Sequence, residues 1–182
     1  MTFEKTVTLK DGRNCLLRNG VTSDGKAVLD VFNRTHEETD YLLTYSDENC
    51  FTASQEADFL QRKTDSTNTV EIIAIVDGVV AGTAGIDALG MRDKIKHRAV
   101  FGIAITKEFW GLGIGKSLME ACIECVREAG YLQLELEVVA ENERAVEMYR
   151  RAGFIEYGRN PKAFRLRTGE YQELIDMRLE LK

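Results

Sequence analysis

The apolar positions change their period along the chain, and the changes divide it into elements. Residues 3–9 and 14–18 alternate as two short strands joined at Asp11-Gly12, a hairpin turn pair. From Ser23 to about Thr44 the apolar residues Ala27, Val28, Val31 and Phe32 fall at helical spacing, with a break expected near Thr35. Thr52 to Gln55 forms a capping box, and Ala57, Phe59 and Leu60 follow it, which predicts a helix over 53–63. Val70–Val76, Asp77-Gly78 and Val79–Ala88 read as a β-hairpin with a tight turn. Residues 97–106 are apolar on both faces, the pattern of a central strand.

The second half alternates strand and helix. Leu118, Cys122, Cys125 and Ala129 make one helical stripe, stopped by Gly130. Leu132, Leu134, Leu136 and Val138 alternate with Gln133, Glu135 and Glu137, a strand with one wetter face. Asn142 is placed to cap a helix carrying Ala145, Met148, Tyr149 and Ala152, stopped by Gly153. Phe154–Tyr157 and Tyr171–Leu181 close the chain as strands. Strand–helix–strand crossovers of this kind predict a mixed α/β layer.

At 182 residues one domain, 1–182, is expected. An apolar fraction of 44% with 30% charged residues is globular usage and excludes a disordered chain. The net charge of −6 lacks the basic footprint of a nucleic-acid binder. Uncharged runs such as 78–86 and 99–106 are far short of the ~20 residues of a membrane span. The first residues, acidic and alternating, do not make the apolar run of a signal peptide, so a cytoplasmic protein is expected. Four cysteines agree with that compartment. Cys122 and Cys125 form a C-x-x-C, but His36 and His97 supply no second pair at zinc spacing, and the pair lies deep in a helix rather than at its start. They are expected to pack as small apolar residues, with no metal.

The chemistry-bearing passage is Trp110-Gly111-Leu112-Gly113-Ile114-Gly115-Lys116-Ser117, between a buried strand and a helix. Backbone N–H groups and the helix dipole converge at such a junction and make an anion site. A P-loop would need glycine where Trp110 stands. A dinucleotide fingerprint would need glycine at Lys116 or at Leu118. Both fail, and x-x-G-x-G entering a helix remains.

That stretch resembles motif A of the GCN5-related N-acetyltransferases, [QR]-x-x-G-x-[GA] after a buried strand, read here as Trp110-x-x-Gly113-x-Gly115 with Trp in place of Gln or Arg. The helix from Asn142 through Ala145 and Tyr149 to Gly153-Phe154 is similar to the same family's motif B, and the strand 132–138 lies between the two as the family order requires. The resemblance covers roughly residues 70–158. It implies a single domain with a central, mostly antiparallel sheet of about six to seven strands, flanked by helices and splayed between the strands at 97–106 and 132–138.

The resemblance also implies acetyl-CoA as co-substrate and direct attack of an amine on its thioester. Amides of Gly111, Leu112, Gly113, Ile114, Gly115 and Lys116, with Trp110 and Ser117 at the ends, would cradle the pyrophosphate. Backbone groups of Ile103, Ala104 and Ile105 would pair with pantetheine like an added strand, the Ile105 amide polarising the thioester carbonyl. Asn142 and Ala145 would meet the pantetheine amides, and Tyr149, a phenol with a pKa near 10, would protonate the leaving thiolate. Taken alone, Asn142 is a helix cap, Tyr149 a core aromatic and Lys116 a solvated charge.

The general base stands apart. Many family members carry a glutamate on the strand before the loop, and here His97-Arg98-Ala99-Val100-Phe101 places Val100 there. Glu135, Glu137, His97 or a water chain are the candidates. Val100 also motivates an alternative, a non-catalytic acyl-CoA-sensing module on the same fold. The acceptor, a small-molecule amine or a protein N-terminus, is left open, as is a homodimer, the commonest soluble assembly.

Overall fold

The computed structural model describes residues 1–181. In chain order the elements are β1 (Glu4–Thr8), β2 (Asn14–Asn19), α1 (Gly25–Glu38), α2 (Ala53–Asp65), β3 (Val70–Val76), β4 (Val79–Ala88), β5 (Arg98–Ile105), α3 (Ile114–Glu128), β6 (Gln133–Val139), α4 (Glu143–Arg151), β7 (Ile155–Arg165) and β8 (Tyr171–Glu180). All eight strands join one sheet in the order β1-β2-β3-β4-β5-β6-β8-β7. The expected six to seven strands are therefore exceeded, because every segment with strand periodicity is taken into the sheet. Among the described residues only β5 and β6 pair in parallel.

Alternation along the strands sorts the two faces. Val70, Ile72, Ala74 and Val76 of β3 join Ala84, Ile86, Ala99 and Phe101 in the main core, covered by α3 and α4. The opposite face carries α1 and α2 over a smaller cluster of Val28, Leu60 and Ile73. Both cysteines of the C-x-x-C are buried in α3, and burial raises the Cys122 thiol well above its ordinary value and Cys125 to about 11. Those thiols pack as apolar groups, and all four cysteines are free. Among the described residues no helix is long and apolar enough to cross a membrane.

Two elements differ from the periodicity. Helix α1 runs unbroken past Thr35, whose hydroxyl donates to the Phe32 carbonyl (2.9 Å) and so satisfies itself within the helix. It ends at Glu38, and Thr39 is extended, so residues 39–44 are not helical. Strand β7 continues to Arg165 rather than Tyr157. Nearly all of it is exposed, so no apolar alternation announces it, and its edge position accommodates Pro161 in an irregular stretch of the ladder.

Helices α1 and α2 approach closely at Gly25, where a Cβ would stand 2.7 Å from the Ala53 carbonyl oxygen and from the Ala57 Cβ. Gly25→Ala is expected to push the pair apart and cost about 1–3 kcal/mol, as overpacking does. Thermal melting should show a Tm lower by roughly 3–10 °C.

Candidate active site

Strands β5 and β6 stay in register only over Arg98↔Gln133, Ala99↔Leu134 and Val100↔Glu135 and then part. The ladder shows which groups face the gap. The Thr106 amide donates to Ala81 of β4's flank, the Arg98 carbonyl accepts from Leu89 on the same side, and the His97 carbonyl accepts from Leu132 and Gln133 on the other. Because successive residues of a strand turn their backbone groups to opposite sides, Ile103 and Ile105 point theirs into the gap. Ala104, expected to share that role, turns its amide and carbonyl to β4. The splay is as the resemblance implied, with two residues rather than three lining it by backbone.

At the far end of β5 lies the glycine loop. Gly111 (φ +87°) and Gly113 (φ +100°) take left-handed conformations that side chains disfavour, and Gly113 serves as the N-cap of α3 without any side-chain cap. Ser117 donates its amide to the Gly113 carbonyl (3.1 Å). Among the described residues, the amides of Gly111, Leu112, Gly113, Ile114, Gly115 and Lys116 have no acceptor. An uncapped helix start with a run of free N–H groups is an anion cradle. The donor set fits a diphosphate.

Trp110 accounts for its own departure from the family pattern. Its indole N–H donates to the Ile105 carbonyl (2.6 Å), with Lys107 over the ring at 6.0 Å. One lone edge group of β5 is thereby satisfied, and the Ile105 amide stays free. Lys116 is exposed and lies 3.6 Å from Glu120. A cation that the periodicity did not single out reaches the loop from α4. Arg144 brings a guanidinium nitrogen to 3.3 Å from where a Gly111 Cβ would stand. Its signal is position, two residues after the Asn142 cap.

Helix α4 closes the other wall. Asn142 Oδ1 accepts from the Ala145 amide (3.3 Å), so it is a cap, and its amide nitrogen remains available. Gly115 leaves room between Ile105 and Met148, bringing α3 and α4 together at the gap. Tyr149 is buried, with its ring against Phe101 (6.2 Å between centroids) and Phe154 (5.8 Å). Phe101 follows Val100, the last residue of β5 paired with β6, so Tyr149 sits where those two strands diverge. Burial alone raises its phenol well above the ordinary value, which corrects the expectation of a pKa near 10.

The candidate bases are placed differently from one another. Glu135 is buried and held by both guanidinium donors of Arg98 (2.5 and 2.6 Å), with Tyr157 Oη at 3.5 Å. Both of its oxygens are thus occupied by Arg98. Glu137 is exposed and stands opposite Asp176 of β8. His97 is half-buried at the start of β5. Val100 is 37% exposed on the α1/α2 face and offers no proton acceptor.

Comparison with known proteins agrees with this geometry. A profile of the Acetyltransferase (GNAT) family matches residues 28–154. The L-amino acid N-acetyltransferase AaaT of Escherichia coli is 32% identical over 118 residues, 64% of this chain and 72% of that protein. The crystal structure of a GNAT-family acetyltransferase from Streptococcus pneumoniae superposes with a TM-score of 0.87 at 27% identity, covering 92% of this chain and 99% of the other. The putative acetyltransferase yncA from Salmonella typhimurium, solved with acetyl-CoA, shares the fold (TM-score 0.82, 16% identity, 93% and 95% covered). This chain belongs to the GNAT acetyltransferase family.

Proposed function

We propose that the protein transfers the acetyl group of acetyl-CoA to a primary amine, of a small molecule or a protein N-terminus, by direct attack in a ternary complex. The observation that carries the reading is the run of six free amides at the start of α3, set beside the splayed edge of β5. The amides of Gly111 to Lys116, with Arg144, bind the diphosphate. Ile103 and Ile105 hold the pantetheine arm, and the Ile105 N–H stabilises charge on the thioester oxygen. Asn142 donates to the arm through its free amide nitrogen.

Tyr149 moves the last proton. A phenol held neutral by burial is a weak acid, so donation to the departing thiolate is best coupled to recovery of a proton from the newly bonded nitrogen. The ring then acts as a relay between nitrogen and sulfur. The kinship to AaaT makes free L-amino acids the first acceptors to try. Val100 favours a second reading, an acyl-CoA sensor that never turns over.

Calorimetric titration with acetyl-CoA, with ATP and NAD as controls, tests the donor site, and thiol release with each L-amino acid and with a short peptide bearing a free N-terminus tests transfer. Selective acetyl-CoA binding with amine-dependent thiol release is expected. Binding without release for every amine would favour the sensor. Tyr149→Phe should lower kcat by about 10²–10⁴-fold while acetyl-CoA affinity stays within a factor of two. Equal loss in both would show a packing role alone. Arg144→Ala should weaken acetyl-CoA by roughly 10-fold or more with kcat at saturation little changed, the cost of one charge-assisted contact.

A further inference from the structure

Strand β3 carries one carboxylate among its apolar residues, Glu71 in Val-Glu-Ile-Ile-Ala-Ile-Val. The sheet register sets it in a row with two glycines, since Glu71 pairs with Gly85 of β4 and Gly85 pairs with Gly102 of β5. All three lie on the α1/α2 face, with Val100 and Glu135. The row is a trough. A Cβ on Gly85 would come within 2.1 Å of Glu71 Oε2, so the carboxylate lies over the Gly85 backbone and reaches toward β5. Gly102 is exposed, and a Cβ there would meet nothing within 4 Å. From above β4 to β5 is about one strand spacing, ~5 Å, a gap one water spans. Gly102 also lies beyond the last β5–β6 pair and next to Ile103, at the mouth of the splay.

The groups around Glu71 leave it free to accept a proton. From α2, Lys63 is buried nearby, but its ammonium donates to Asp87 Oδ2 (2.6 Å) and to the Ile86 carbonyl (3.1 Å). Glu56 of α2 and Asp87 of β4 face it with like charge, and Thr83 of β4 presents a hydroxyl. Through the sheet, Cys122 of α3 feels its charge. Burial dominates and lifts the carboxyl to about 7, with Lys63 and Thr83 pulling the other way. Glu71 as a residue is half-buried, and the open side of the row is at Gly102, where a Cβ would meet nothing within 4 Å.

We propose that Glu71 is the proton acceptor for the attacking amine, reached through water along the Gly85–Gly102 trough, in place of the carboxylate missing at Val100. The inference rests on the acetyl-transfer reading. The acceptor enters as an ammonium ion and passes one proton through water to Glu71. Its nitrogen lone pair then forms the C–N bond, and the C–S bond breaks with its electron pair going to sulfur. Tyr149 protonates that sulfur and recovers the second nitrogen proton, and the proton on Glu71 leaves to solvent.

The acid form of Glu71 cannot take the proton, so kcat/KM for the amine should fall tenfold per pH unit below about 7. The test is that profile from pH 5.5 to 10 with the L-amino acid the wild-type protein turns over fastest, at saturating acetyl-CoA. It is run on wild type, Glu71→Gln, Glu71→Asp and Gly102→Val, with acetyl-CoA affinity by calorimetry on each. Glu71→Gln should lose about 10²-fold or more at pH 7, lose the bend, and recover toward pH 10, where the amine is already neutral. Glu71→Asp should keep the bend at a reduced rate. Gly102→Val should lower the rate, and adding Glu71→Gln to it should cost little more. Acetyl-CoA affinity should be unchanged throughout. A Glu71→Gln rate within twofold of wild type with the bend intact overturns the proposal, as does a loss that is equal at every pH. Wild-type protein that binds acetyl-CoA and acetylates no amine overturns the transfer reading and Glu71 with it. Amine turnover with an unaffected Glu71→Gln overturns Glu71 alone.

Discussion

The site depends on a ladder that is left unfinished. Strand β5 is paired with β4 over seven residues and β6 with β8 over seven, whereas β5 and β6 share only three. Each strand is thus held by its outer neighbour, and the right-handed twist of the two halves can separate the inner pair without loosening either. The Arg98–Glu135 pair pins the base of the opening, and the packing of Tyr149 on Phe101 fills the layer beneath it. What the protein forgoes in backbone pairing becomes an unpaired edge at Ile103 and Ile105, and such an edge binds an extended amide-bearing chain for the same reason that it would bind another strand.

The loop follows the same logic at the next step. A helix start leaves its first amides without acceptors, and an N-cap side chain usually repairs this. Here Gly113 stands at the cap and repairs nothing. Trp110, meanwhile, satisfies the Ile105 carbonyl. Glutamine and arginine at this position would also present an N–H donor, so tryptophan preserves the bond-forming property while changing the shape. Donors are left open and the competing acceptor is closed, which biases the whole corner toward anions.

The elements that could be read in the sequence are those whose pattern reflects a buried face. The hairpin 70–88, the strand 97–106 and the stripe through Leu118 and Cys125 announce themselves because one face or both are apolar. Strand β7 did not, since it is an exposed edge, and the continuation of α1 through Thr35 did not, since Thr35 satisfies its hydroxyl inside the helix. The same division holds at the site. The glycines, Asn142 and Tyr149 are spaced within single elements, so the sequence displays them. Arg144 joins Gly111 across more than thirty intervening residues, and only the packing of α4 against the loop brings them together.

Glu71 is the extreme case, because its partners are absences. Gly85 and Gly102 matter through the side chains they lack, and their alignment with Glu71 exists only in the register of three strands. The carboxylate is also costly. Its folded pKa lies above the unfolded value, so the protonated form is the better tolerated one. The contribution to stability is full below about pH 4.5 and is lost as pH rises through about 7. A purely structural position would favour the neutral isostere glutamine at neutral pH, or an ion pair such as the one Asp87 already makes with Lys63. A strand that keeps the acid, places glycine beside it and gives the nearest cation to another partner spends stability on a group able to change its protonation state where amines must lose theirs.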